Sequence, residues 1–388
     1  MMKLRGINLG GWLLMEGYIL GGKNIPESEF KREFRQHYGS KELKNFEALF
    51  HDSFITESDF KKITRLGANV LRVPFHYKII ERAPFRYSKL GFSYLDKIIS
   101  WAEKYELGVI LDLHAAPGAQ NADWHADSSG RALLWEIPQL RERTYQLWEA
   151  IAARYKNRRG LVGYDLVNEP VVNNTKKKVV HSFYKALIKR IRKIDTRHII
   201  FLEGNLWATQ IDFLKDLIES GVHISIHFYQ PLDYVFHFLP STRYPGRIAK
   251  YNWRKDALRR CLERYYRFSR RNKTNILVGE FGVNWRGGHY GEGRYLNDVL
   301  SLFEAFGFHY TFWTYKTIKN YIFPDGLYQY LNNPSWVNRE GPLTGWETYW
   351  GEWGKNKKSI VSSWDTRNYT LCQGLTGVLR KYFKRNKK

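Results

Sequence analysis

Runs of apolar and β-branched residues recur along the chain, and after many of them the apolar positions shift to a spacing of three and four. The runs are LRGINLG (4–10), NVLRVPF (69–75), GVILDLH (108–114), GYDLVNE (163–169), HIIFLEG (198–204), HISIHFY (223–229), NILVGEFG (275–282) and HYTFWTY (309–315). Short apolar runs of this kind read as buried strands. Between them lie amphipathic stretches such as ESDFKKITRLG (57–67), LGFSYLDKIISWAEKYELG (90–108), PQLRERTYQLWEAIAARYKN (138–157) and VVHSFYKALIKRIRKID (179–195). Several open after Ser, Thr or Pro, and Leu66-Gly67, Leu107-Gly108 and Ser220-Gly221 are stop signals. Eight strands alternating with eight helices predict an α/β chain folded as a (β/α)8 TIM barrel. A doubly wound open sheet is the competitor, but it wants a GxGxxG turn after its first strand, and GINLGGW is not that pattern. No composition shift or Pro/Ser linker divides the chain, so 1–388 reads as one domain. Two connections exceed ordinary length, about 230–252 after the sixth strand and 316–370 after the eighth. Both are rich in Tyr, Trp and Phe and are expected as insertions on the barrel rim.

Composition adds an aromatic surplus and a strong positive charge. Aromatic residues make up 16% of the 388-residue chain, and fourteen tryptophans exceed what a core needs. The surplus points either to a capped barrel or to rings that meet a ligand, and Trp336, Trp346, Trp350, Trp353 and Trp364 stand equally open to both readings. The formal charge is +24, with Lys and Arg spread along the whole length and densest in LRKYFKRNKK at the end. No zinc-finger, RNP-like or P-loop pattern accompanies them, so a solvated basic surface is expected rather than a nucleic-acid partner. No window is long and apolar enough for a membrane span. The start, MMKLRGINLGGWLL, has no leader-like pattern, which predicts a cytoplasmic protein, or a secreted one if a leader was removed. Cys261 and Cys372 are too few for a disulfide framework and read as ordinary thiols.

Candidate chemistry gathers where the strands run out, because barrel enzymes work at the C-terminal ends of their strands. The second strand offers Arg72, the third Asp112 and His114, and the fourth Asn168 and Glu169. The sixth offers His227 and Tyr229, the seventh Glu280 and the eighth Trp313. In YDLVNEP (164–170) a buried run ends on a glutamate, which is costly unless something uses it. Two carboxylates on different strands suit hydrolysis of a glycosidic bond, where one protonates the leaving oxygen and the other attacks or activates water. A cation such as Arg72 beside one of them would hold it ionised. Metal-assisted hydrolysis is the rival, with His114, Asp123, His125 and Asp127 as conceivable ligands. The stretch DLHAAPGAQNADWHADSSG that carries them is long, polar and glycine-bearing, and reads better as a flexible rim loop.

These residues also carry a resemblance. GINLGGW, LRVPF, LDLHAAPG, NEP, HFY, VGEFG and FWTYK resemble the ordered motifs of glycoside hydrolase family 5, over about residues 4–316. The resemblance implies a (β/α)8 barrel, no cofactor, no metal, and a retaining double displacement. It makes Glu169 the acid/base and Glu280 the nucleophile, with Tyr229 and Arg72 orienting the nucleophile. Asn168 would bond the sugar 2-hydroxyl, His227 would lie by the acid/base, His114 would contact the sugar at the cleavage site, and Trp313 would be its platform. NLGGWL and DLHAAPGAQN are similar to the exo-β-1,3-glucanase branch, whereas FITESDFKKI is similar to bacterial endo-β-1,4-glucanases. The substrate is therefore expected to be a β-1,3- or β-1,4-linked glucan or gluco-oligosaccharide, met by a monomer. A β-mannanase, a β-glucosidase, or a non-catalytic carbohydrate- or polyanion-binding protein are the alternatives.

Overall fold

The computed structural model describes residues 2–319, 321–331 and 347–384. Eight parallel strands close into a barrel: β1 (Arg5–Asn8), β2 (Val70–His76), β3 (Gly108–Ala115), β4 (Leu161–Asp165), β5 (Ile199–Glu203), β6 (Val222–His227), β7 (Ile276–Phe281) and β8 (His309–Phe312). Each pairs with its chain neighbours, and β8 closes on β1 with Arg5 opposite Tyr310 and Ile7 opposite Phe312. Every residue of β2, β6, β7 and β8 is buried. A strand covered on both faces cannot alternate apolar with polar, which explains the unbroken apolar runs.

The principal helices are α1 (Glu27–Phe54), α2 (Glu57–Leu66), α3 (Lys89–Lys104), α4 (Pro138–Tyr155), α5 (Lys177–Arg192), α6 (Lys255–Asn272), α7 (Glu292–Phe306), α8 (Glu347–Ser363) and α9 (Gln373–Phe383). Local sequence sets their ends. Thr56 and Asp59 form a capping box at the start of α2, and Gly67 closes it with φ at 93°. Ser88 Oγ accepts from Gly91 N at 3.2 Å to open α3.

The strict alternation fails at one place. Between β5 and β6 the chain forms a 3-10 segment, Asp212–Leu217, instead of an α-helix. The first part of that connection is taken by a turn at Asn205–Ala208. Strand ends also fall short of the apolar runs. β4 stops at Asp165 and β8 at Phe312, so Asn168, Glu169 and Trp313 stand on irregular backbone beyond them.

The two long connections take different forms. Residues 230–252 hold a short helix, Leu232–Val235, and the start of a hairpin pairing Gly246–Ile248 with Tyr251–Trp253. In 316–370, α8 lies along α1. Phe46 sits 5.0 Å from Trp353 and Phe50 5.1 Å from Trp364, while Trp350 stacks on Phe30 at 6.0 Å. These three tryptophans therefore pack on a helix that bends at Gly39 (φ 79°). Trp336 and Trp346 lie outside the described residues.

Candidate active site

All eight side chains to which the family resemblance gives a role converge. Six of them, His114, Glu169, His227, Tyr229, Glu280 and Trp313, line a cleft of about 780 Å³. Arg72 and Asn168 are fully buried beneath it.

Arg72, from the middle of β2, is the hub. Its Nε donates to Asp165 Oδ2 (2.9 Å), Nη1 to Glu280 Oε1 (2.9 Å) and Asn8 Oδ1 (3.1 Å), and Nη2 to Asn168 Oδ1 (2.8 Å) and Glu203 Oε1 (2.9 Å). Asp112 Oδ2 is 3.1 Å from the same Nη2. Burial alone would lower the guanidinium, but the surrounding carboxylates outweigh it and raise it well above its ordinary value. Two of its carboxyl partners are raised as well, because burial outweighs the pull of Arg72 on them. Burial, with Glu203 adding to it, pushes Asp165 up to about 8, and burial drives Asp112 well up as well. Asp112, Asp165 and Glu203 cluster closely enough to suggest a metal. The guanidinium bonded to all three occupies that role.

Glu280 is aimed by a local irregularity in β7. The register against β6 slips between Val278 and Glu280, which sets Glu280 opposite His227. Gly279 makes room for the bulge, since a Cβ there would lie 2.7 Å from Ser225 Oγ. Besides the Arg72 bond, Glu280 Oε2 accepts from Tyr229 OH at 2.9 Å.

Glu169 is held differently. Its backbone adopts φ of +48°, a left-handed conformation rare for a residue with a Cβ. Its N–H donates to Glu203 Oε2 (2.6 Å), and its carbonyl accepts from Asn121 Nδ2 (2.9 Å). The side chain faces His227, with Oε1 2.6 Å from Nδ1, and His125 Nε2 lies 3.4 Å from Oε2. Burial favours the neutral acid, but cationic His227, then His125 and His114, pull Glu169 down to about 2. His227 shows the converse. Burial would lower it, yet Glu203, Glu280 and Glu169 raise it well above its usual value, so the proton of this pair rests on the imidazole. Oxygen atoms of Glu169 and Glu280 lie within 4.8 Å of each other, with His227 between.

One wall is aromatic. The His114 and Trp313 rings stack at 5.5 Å and 11°. His114 Nδ1 is 2.7 Å from Asp112 Oδ2, and burial lowers the imidazole well below its usual value. Trp313 Nε1 donates to Tyr18 OH.

A match to the family described as Cellulase (glycosyl hydrolase family 5) spans residues 30–318. The chain belongs to glycosyl hydrolase family 5. It is a glycoside hydrolase, similar to a β-xylosidase of Phanerodontia chrysosporium (31% identity, 81% of this chain and 67% of the relative). It is also similar to endoglucanase C of Acetivibrio thermocellus (27% identity, 80% of this chain and 90% of the relative). Among solved structures, endoglucanase Cel5A of Thermotoga maritima shares the fold at a TM-score of 0.61, with 20% identity over 84% of this chain and 92% of that one.

The hydrolase departs from the sequence reading in its loop after β3. Expected as a flexible rim, the loop is tied down: Gln120 and Asn121 are fully buried, and Gln120 Nε2 donates to His114 O at 2.7 Å. The four conceivable metal ligands are not gathered there. Asp127 pairs with His76 (2.8 Å) and Lys78 (2.9 Å), while His114 pairs with Asp112. Sequence reasoning also missed Asn8, Asp165 and Glu203, although Glu203 ends an apolar run just as Glu169 does. It missed Glu16 too, which lines the cleft, is 2% exposed, and has one carboxyl oxygen without a hydrogen-bond partner. Burial, with Glu280 and Glu169 nearby, raises Glu16 well above the carboxylate range. Among the described residues no helix is long and apolar enough to cross a membrane, and both cysteines are free and half-buried.

Proposed function

We propose that this glycoside hydrolase cleaves β-glucosidic linkages in β-1,3- or β-1,4-linked glucans or gluco-oligosaccharides with retention of configuration. It would act as a monomeric catalytic domain over 1–388. The observation that carries the mechanism is the short separation of Glu169 and Glu280, with carboxyl oxygens within 4.8 Å. Retention goes with carboxyls about 5–5.5 Å apart, whereas inversion leaves room for a water at roughly 6.5–9.5 Å. The endoglucanase relative and the strand-end motifs support the glucan substrate.

In this reading Glu280 attacks the anomeric carbon, aimed by Tyr229 and Arg72. The bond to the departing glycosidic oxygen breaks as Glu169 delivers a proton to that oxygen. The proton comes from the Glu169–His227 pair. As Glu280 forms its ester it gives up a negative charge that raised His227, so the imidazole releases its proton across 2.6 Å to Glu169. Glu169, now a carboxylate, takes a proton from water, which attacks the anomeric carbon and frees Glu280. Asn168 would bond the sugar 2-hydroxyl, and the wall formed by Trp313 with His114 would receive the face of that sugar ring.

Proton NMR of the first product from a β-linked oligosaccharide tests the mechanism. The β anomer should accumulate before mutarotation, and initial α anomer would overturn the role given to Glu280. Hydrolysis rates on laminarin, barley glucan, carboxymethylcellulose, mannan and aryl β-glycosides identify the substrate. Preference for mannan or for an aryl β-xyloside would displace the glucan reading while leaving the mechanism in place.

A further inference from the structure

The helix between β6 and β7 carries charge out of proportion to its length. From Arg254 to Lys273 stand nine Lys or Arg and two Asp or Glu. Leu258, Leu262, Tyr265 and Phe268 bury one face of α6, so its cations occupy the others. Other outer arginines are neutralised: Arg154, Arg158 and Arg190 each close on a carboxylate, at 2.5, 2.8 and 2.8 Å. On α6 the Glu263 carboxylate goes to Arg267 at 3.0 Å, and Asp256 stands in the first turn.

Two of the remaining cations border the cleft. Arg260 and Arg264, one helical turn apart, line it with Thr209 and Tyr265, and both are exposed. Like charges at this spacing repel, so helix formation does not favour the pair. Arg264 is nevertheless held in place. Its Nη2 donates to Thr209 O at 3.2 Å and to Tyr265 OH, and its guanidinium lies 4.5 Å from the centre of the Tyr265 ring. Tyr265 OH in turn donates to Thr209 O at 3.0 Å. All these partners are neutral, and among the described residues Arg264 Nε and Nη1 donate to none. Arg260 forms no hydrogen bond or ion pair among them. Neither arginine pairs with the catalytic carboxylates, whose cationic partners are Arg72, His227 and His125. The cleft thus has two guanidiniums on its border with their charge unspent.

We infer that Arg260 and Arg264 receive an anionic group on the substrate, a carboxylate or a phosphate ester carried by a ring other than the one that bonds to Glu280. This rests on the glucan-hydrolase reading of the cleft. An anion on the reacting ring would meet Glu16, Glu169 and Glu280, which line the same cleft. An anion on another ring can lie against two planar forks, each able to grip two oxygens at once. Neutral glucan still enters, so the pair adds a preference for charged chains to the same reaction.

The test compares cellotetraose and laminaritetraose with the same tetraoses carrying a C6 carboxylate or a 6-phosphate on either terminal ring. The unsubstituted enzyme should show kcat/KM at least tenfold higher on one anionic series than on its neutral parent, and salt at roughly 0.5 M should remove most of that advantage. The better of the two series identifies the group. The double variant Arg260→Gln, Arg264→Gln should lose at least tenfold more on that series than on the neutral tetraoses, chiefly through KM. Arg260→Lys with Arg264→Lys keeps the charge without the fork and should recover part of the loss. Equal losses on charged and neutral tetraoses, or no preference for either anionic series in the unsubstituted enzyme, would overturn the inference and leave the proposed function standing. Failure of the unsubstituted enzyme on every β-glucan, neutral or charged, would instead sink the proposed function, and this inference with it.

Discussion

Glu280 and Glu169 face each other across the same cleft, but the protein holds them in opposite ways. Glu280 sits inside a regular strand, displaced by one bulge, and receives donated hydrogen bonds on both oxygens, from Arg72 and Tyr229. Glu169 stands beyond its strand on left-handed backbone and shares a short contact with a histidine that itself titrates. Fixed donors suit a group that must keep one orientation and attack. A mobile proton in a 2.6 Å pair suits a group that must give a proton and then take one back. Two carboxyl groups of the same chemistry are thus suited to the different roles proposed for them by what surrounds each.

The largest way to break this contrast is at Glu280. Glu280→Ala should lose roughly 10,000-fold or more in kcat on polysaccharide and on activated aryl glycosides alike, since no covalent intermediate can form. Glu169→Ala should lose on the order of 100- to 10,000-fold on polysaccharide yet retain much of the glycosylation rate on a 2,4-dinitrophenyl glycoside, whose leaving group needs no proton. Equal losses on the two substrates in both variants would erase the distinction.

His227→Asn sharpens it. His227 is raised well above its ordinary value and Glu169 is held down near 2, so the pair keeps its proton until pH passes the raised His227 value. The alkaline limb of kcat/KM against pH reports that loss. Without the imidazolium, Glu169 must hold the proton alone, and the limb should move to lower pH. A limb that stays in place would show that His227 does not store the catalytic proton.

Glu16→Gln should do least among the cleft variants. Burial and its anionic neighbours favour the neutral form of Glu16, and the amide is nearly isosteric with that form. Its kcat/KM at pH 7 should stay within roughly threefold, whereas a hundredfold fall would mean that an ionised Glu16 is needed. Salt should matter less still. Screening acts over about 10 Å at 0.1 M, and a neutral sugar held by stacking and hydrogen bonds barely responds to it. A steep fall of kcat/KM with added salt would point to an anionic substrate meeting the basic surface.

Legibility in the sequence varied with how local the cause was. The barrel strands were readable because each is apolar over its own few residues, and α2 and α3 because Thr56, Gly67 and Ser88 punctuate them. The connection after β5 was not, because its Asn205 turn is set by contacts with Val172 and Gln210 rather than by a local helix or strand pattern. Glu169 and Glu280 stood out as charges ending apolar runs. Glu203 has the same signal, yet only its contacts with Arg72 and Glu169 N reveal what it does. The tryptophans of 316–370 divided only in space, where Trp350, Trp353 and Trp364 met the phenylalanines of α1.

The amino-acid order by itself determined the alternation of strand and helix, the closure it leads to, and the residue types at the strand ends. Those follow from burial and backbone preference over short stretches, which neighbours in sequence can set. Tertiary structure alone decided which member of the Glu169–His227 pair holds the proton, and why Arg72 can sit fully buried among Asp112, Asp165, Glu203 and Glu280. Each of these depends on the distance between charges and rings brought from strands far apart in the chain. Coulomb energy depends on the distance in space between the charges, and these groups come within hydrogen-bonding range only when the barrel closes, so no spacing along the sequence encodes it.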